Sequence, residues 1–428
     1  MNRRWLAFGM VVTAACARAA SPEVSPSGSG SATASATGSA TATATAAATA
    51  TGSATPPATA SATAAATPEP PLEGADFLPE AKLIYRVAAC GAGGEVPARF
   101  DAAVVTRHCD ELGHAYDEYR RGWVDVARPF LAALRPRDLP RVAVYPFGGG
   151  DLVSALATFP DATEITTISL EPAGDVRPVD SLAPDFLAHE LAVHRAHLER
   201  LFEKAHSRTD NLEKESRTEL PGELLFALAA LVVHGDEPVG LRYFRLQPDG
   251  SVAYVTAAEI ASAKKPGERR AVFANAELRF RRAGEPGAPV QVLRHVSFNL
   301  DDAHLKADPA LLAHLAGKGK VAAMTKAATH LLWNDHFSLI RGWLVGHTDW
   351  MVSDSTGIPP RIAGPAGFTQ DTYGTFVAPS PFGNPDGNDA DDVKKLFASQ
   401  PARDLPFRYG YPDRDGHAHL IVTHRAPH

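Results

Sequence analysis

Apolar side chains recur at spacings of three and four through Leu112, Tyr116, Tyr119, Trp123, Val126, Phe130 and Leu134, the period of one helix face. The pattern predicts a helix from about Asp110 to Leu134, closed by Pro136 and Pro140. A short β-rich run follows at Arg141–Tyr145, then Pro146, the glycines Gly148, Gly149 and Gly150, and Asp151, after which Leu152 to Ala157 starts a helix. A second β run, Glu164–Leu170, ends on Glu171 and Pro172. Further on, the stripe Leu187, Leu191, Leu198, Leu201 predicts a helix over about Asp185–His206, and the wholly apolar Leu224–Val233 predicts a buried one.

The pattern then turns to period two. Val239–Leu246 and Ser251–Thr256 flank Gln247-Pro248-Asp249-Gly250, and Val272–Arg281 and Val290–Phe298 flank Gly284-Glu285-Pro286-Gly287, so two hairpins are expected. Helices are expected again near Pro309–Leu315, Met324–Leu332 and Phe337–Val345, before the strand Trp350–Ser353. Gly357 to Asp392, rich in Pro, Gly, Asn and Asp with interleaved aromatics, reads as a long ordered loop, and His417–His419 as a solvent-facing terminal strand. Together these elements give an α/β class: a mixed central sheet with flanking helices, divided as an N-terminal helical segment over 72–140 and an α/β body over 141–428.

Strand, glycine turn, short helix, strand resembles a Rossmann-like opening, in which glycines let the backbone approach a ligand and an acid ending the next strand takes a ribose. Asp151 and Glu171 occupy the corresponding places, but Val153 stands where the third glycine belongs. A tight strand-to-helix turn with Asp151 as helix N-cap explains the same residues without a cofactor, whose identity the sequence leaves unknown.

The first 71 residues carry a different signal. Arg3 and Arg4 precede an apolar stretch, Trp5–Ala15, too short to span a bilayer. Ala14-Ala15-Cys16 resembles the lipobox of bacterial lipoproteins, with Thr13 where that family has Leu, Val or Ile; the resemblance implies lipidation of Cys16 as the first mature residue. Cleavage at Ala15-Cys16-Ala17 is the alternative, giving a secreted chain. Residues 17–71, almost entirely Ala, Ser, Thr, Gly and Pro, lack the apolar content to order themselves and read as a disordered tether reaching on the order of 40 Å. A net charge of −7 gives no footprint for nucleic acid, so the expected partner is a membrane, through a lipid on Cys16, with a small-molecule or protein partner unknown.

Apart from Cys16, the chain has only Cys90 and Cys109, an even pair in an exported protein, so a disulfide is expected. His189-Glu190-Leu191-Ala192-Val193-His194 imitates a zinc-protease motif, but five residues turn the second histidine off the face of the first. Glu190, His194 and His197 do share a face, yet His194 also lies in the leucine stripe, where a core histidine is the better reading, and no metal is assigned. His419, His424 and Asp415 near the terminus carry no assignment either.

Tyr145-Pro-Phe-Gly-Gly-Gly-Asp151, Phe159-Pro160, Leu170-Glu171-Pro172 with Gly174, and Asp354-Ser-Thr-Gly-Ile-Pro359 resemble, as a set, a family of uncharacterised bacterial exported proteins. Gly149 stands where that pattern has serine and Ala173 where it has valine. The resemblance implies export and supplies no activity or catalytic residue. The candidate ligand site is therefore Gly148, Gly149, Gly150, Asp151 and Glu171, converging at strand ends, with Asp354 and Ser355, whose Asp-Ser-Thr-Gly is also ordinary turn chemistry. Two functions follow as expectations: a membrane-tethered lipoprotein with a binding or envelope-associated role, or a tethered hydrolase or group transferase using the glycine turn and Glu171.

Overall fold

Along Val142–Pro146 (β1), Ala143 and Tyr145 face one apolar cluster and Val144 the other, so both faces of the strand are buried, as a central parallel strand requires. A computed structural model describes residues 73–204, 220–328, 331–376, 391–410 and 418–425; the signal segment, Cys16 and the tether lie outside the described residues. The remaining strands are β2 (Glu164–Ser169), β3 (Asp236–Leu246), β4 (Val252–Tyr254), β5 (Asn275–Arg282), β6 (Gln291–Ser297), β7 (Val321–Thr325), β8 (Thr348–Ser353), β9 (Thr369–Gly374) and β10 (His419–His424). They form one sheet in the order β4-β3-β5-β6-β2-β1-β7-β8-β10-β9. The centre, β6-β2-β1-β7-β8, is parallel, and antiparallel pairs extend it on both sides. The molecule is a mixed-sheet α/β fold with helices on both faces.

One face is covered by α1 (Leu78–Val87), α2 (Ala102–Tyr119), α3 (Asp125–Leu134), α4 (Leu152–Thr158), α5 (Pro184–Lys204) and α6 (Gly222–His234). The 102–134 stretch begins earlier than its leucine and aromatic period indicates, because the Asp101 carboxylate accepts from the backbone N–H of Ala103 and Val104 and starts the helix there. A π-helical turn, Arg120–Val124, separates α2 from α3. Cys90 and Cys109 are joined, with Cα atoms 5.2 Å apart, tying α2 to the chain after α1. The other face packs on the Ala310–Ala316 and Ser338–His347 helices. Residues 73–140 share their core with the sheet: Ile84, Leu112 and Leu131 lie in one cluster with Tyr145 and Leu231.

Three expectations change. Met324–Leu332 is not a helix, since Val321–Thr325 is a fully buried strand paired with β1 and β8. His419 opens not an outer strand but β10, hydrogen-bonded between β8 and β9, and is itself fully buried; His417 and Asp415 lie outside the described residues. Within 357–392 the described chain includes the Pro360–Ala363 helix and β9, so this stretch is not simply a loop.

Candidate functional site

From β1 the chain crosses through α4, on one face, to β2; from β7 it crosses through the Ser338–His347 helix, on the opposite face, to β8. The two crossovers diverge between β1 and β7, and the crevice at such a reversal, at the carboxyl ends of the strands, is where open α/β sheets take ligands. Both strand ends are strained there. Of three non-glycine residues with positive φ among the described residues, Phe147 follows β1 and Ala327 lies just past β7 (φ 60° and 56°).

The crevice is filled by the protein's own groups. Lys326, the first residue past β7, is buried and places Nζ 2.6 Å from Asp151 Oδ2 and 2.6 Å from Ser154 Oγ. The Tyr145 hydroxyl donates to the same Asp151 oxygen at 3.0 Å, while Asp151 Oδ1 accepts from the Ser154 N–H and so caps α4. The ammonium also faces the rings of Trp123 and Tyr409, 5.9 and 5.8 Å from their centroids. Burial, then the charge of Asp151, holds the Tyr145 and Tyr119 hydroxyls well above the usual phenol range. Lys326 and Asp151 are thus a desolvated, hydrogen-bonded ion pair, the arrangement that makes burial of either charge tolerable.

The segment ending at Gly410 lies over this pair. Trp123 Nε1 donates to the Arg408 carbonyl at 2.6 Å, Tyr409 is fully buried, and Gly410 packs on Asp354. Asp354 spans the neighbouring strand ends: Oδ2 accepts from the Ala327 N–H at 2.8 Å, and Oδ1 accepts from the Thr356 N–H and hydroxyl. The Ser355 N–H donates to His419 Nε2 at 2.9 Å, which makes that ring nitrogen an acceptor. Asp354 and Ser355 therefore perform the turn chemistry that their neighbours Thr356 and Gly357 suggest.

The glycines serve close packing first. A Cβ on Gly148 would lie 2.3 Å from the Tyr145 ring, and one on Gly150 would lie 2.4 Å from Phe226 of α6. Gly149 and Gly150 also line a small pocket together with Thr167, Ala173, Glu223 and His295. His295 Nε2 donates to the Glu171 carbonyl at 2.9 Å, so its Nδ1 accepts from the Thr167 hydroxyl, and burial lowers its pKa. Glu223, in the first turn of α6, is 5 % exposed, and neither of its carboxyl oxygens has a hydrogen-bond partner among the described residues. Burial, then the charge of Glu171, pushes its pKa well above the carboxylate range.

The sequence-derived site thus divides. Gly149 and Gly150 line the pocket, with Glu171 near it; Asp151, Asp354 and Ser355 are drawn into the closed crevice, and Gly148 is packed on Tyr145. Lys326, Ser154, Glu223 and His295 were not anticipated. Glu223 had a legible signal, a lone acid opening an otherwise apolar helix; Lys326 had none, because its partner lies far away along the chain.

His194 is fully buried, neither ring nitrogen is hydrogen-bonded among the described residues, and burial, then His197 and His108, lowers its pKa to about 3. His189 is exposed, so the two histidines do diverge. Among the described residues no group of three or more His, Cys, Asp or Glu is placed to hold a metal ion, and no helix is long and apolar enough to cross a membrane.

Comparison with models of protein families, with curated proteins and with solved structures finds no match.

Proposed function

We propose that this chain is an exported lipoprotein, tethered through Cys16, whose α/β body has a non-catalytic, ligand-binding role at the cell envelope. The observation that carries the reading is the state of the acids a hydrolase or group transferase would use: Asp151 is engaged by Lys326, Tyr145 and the Ser154 N–H, and Asp354 by Ala327 and Thr356. Groups so bound neither reach a substrate nor exchange protons without dismantling the strand ends that they join. The glycine turn keeps an open side at the pocket, where binding is still available. At the N-terminus, Arg3, Arg4, the short apolar run and Ala14-Ala15-Cys16, followed by an Ala/Ser/Thr-rich stretch, support export and anchoring.

Expression of the full chain in bacteria fed labelled palmitate tests the anchoring. The expected result is a labelled chain in the membrane fraction, with Cys16→Ser unlabelled and released. An unlabelled, soluble wild type overturns it.

A further inference from the structure

The pocket beneath the glycine turn holds a carboxyl group that no neighbouring donor among the described residues satisfies. Glu223 has both carboxyl oxygens buried and unpartnered, and Glu171 stands close enough for its charge to be felt there. None of the lining residues is Lys or Arg. The other polar side chains are committed, His295 to the Glu171 carbonyl and Thr167 to His295, so neither donates to Glu223. A buried carboxyl group left without donors is destabilising unless an occupant supplies them. The pocket has room for about one water-sized group, and Leu152, Leu224 and Leu293 line it with hydrocarbon.

We propose that this pocket binds the ammonium head of a primary amine, Glu223 receiving its N–H donors and the apolar wall taking the first carbons of its stem. An ammonium group has the size of a water molecule, carries three donors and brings the positive charge that lets Glu223 release its proton and accept them; an anion meets two acids, and a quaternary ammonium is too wide for the pocket. The inference rests on the binding role proposed above and names the ligand class for it.

The test is thermal unfolding of the full chain in methylammonium chloride, against sodium chloride and tetramethylammonium chloride at the same ionic strength. The expected result is a saturable rise in midpoint with methylammonium alone, because a ligand that binds only the folded state stabilises it by mass action. The rise disappears in the near-isosteric Glu223→Gln and in Ala227→Leu, whose larger side chain fills the pocket. An equal rise in Glu223→Gln, or no rise in the wild type, overturns the amine assignment. If neutral or anionic small molecules raise the midpoint where methylammonium does not, the assignment falls and the binding role stands; if no small molecule does, both fall.

Discussion

Lys326 Nζ lies 2.6 Å from Asp151 Oδ2, joining the end of β7 to the start of α4 at the point where the crossovers of the sheet diverge. Both side chains are almost wholly out of water, so removing one strands the other. Lys326→Met is expected to destabilise the fold by about 3–5 kcal/mol, whereas pairing it with Asp151→Leu recovers much of the loss. Urea midpoints of the two single variants and the double variant measure the coupling; additive losses would show that the pair is not the clasp described.

Gly410, with φ of 68°, approaches Asp354 so closely that a Cβ would lie 2.1 Å from Oδ2. Gly410→Ala must displace the carboxylate that holds Ala327 and Thr356, and a loss on the order of 2–4 kcal/mol is expected, above the ordinary range for a single substitution. A midpoint within experimental error of wild type would contradict the packing.

How far this arrangement was readable in advance depended on the range of the interaction. β1, β2 and both hairpins announced themselves through β-branched runs and Pro/Gly turns, which are local. β7 did not: Val-Ala-Ala-Met-Thr has the composition of a helix, and only its place between β1 and β8 makes it a strand. His419 alternates as an edge residue would, and is buried because β10 lies inside the sheet and Phe376 and Phe397 pack against its ring. Lys326 stands 172 residues beyond Ser154, and no spacing rule connects them. Asp151 was legible as a helix cap, yet its ion pair was not.

Acid should destabilise the protein through two buried histidines. His194 and His234 each have a pKa lowered to about 3 from 6.5, by burial foremost. Between these values the unfolded chain binds protons that the folded chain refuses, so stability present at neutral pH is lost as pH falls from about 6.5 towards 3. The slope is about 1.4 kcal/mol per pH unit for each ring. His194→Leu should flatten this dependence in denaturation series from pH 7 to pH 4; an unchanged slope would contradict the burial.

Glu223 has the opposite sign. Its folded-state pKa is raised, so above about pH 4.5 the folded chain holds a proton that the unfolded chain releases, and stability falls as pH rises towards the raised value. Glu223→Gln removes this cost, and its advantage over wild type should grow between pH 5 and pH 8. A variant that loses stability over that range would contradict an unpartnered carboxyl.

The Cys90–Cys109 bridge closes a sequence separation of 19 residues, and Cys109→Ser is expected to cost about 3 kcal/mol on the chain-entropy model. Non-reducing peptide mapping should recover the linked pair; free thiols at both positions would contradict it.

Ligand is expected at the pocket lined by Gly149 and Gly150, whereas protein groups close the crevice at Asp151. The most direct measurement is the midpoint shift produced by methylammonium in Tyr145→Phe, which removes one donor to Asp151 and leaves its ion pair, beside Glu223→Gln. The predicted result is a shift retained in Tyr145→Phe and lost in Glu223→Gln. A shift lost in Tyr145→Phe and retained in Glu223→Gln would place the site in the crevice instead and contradict the account.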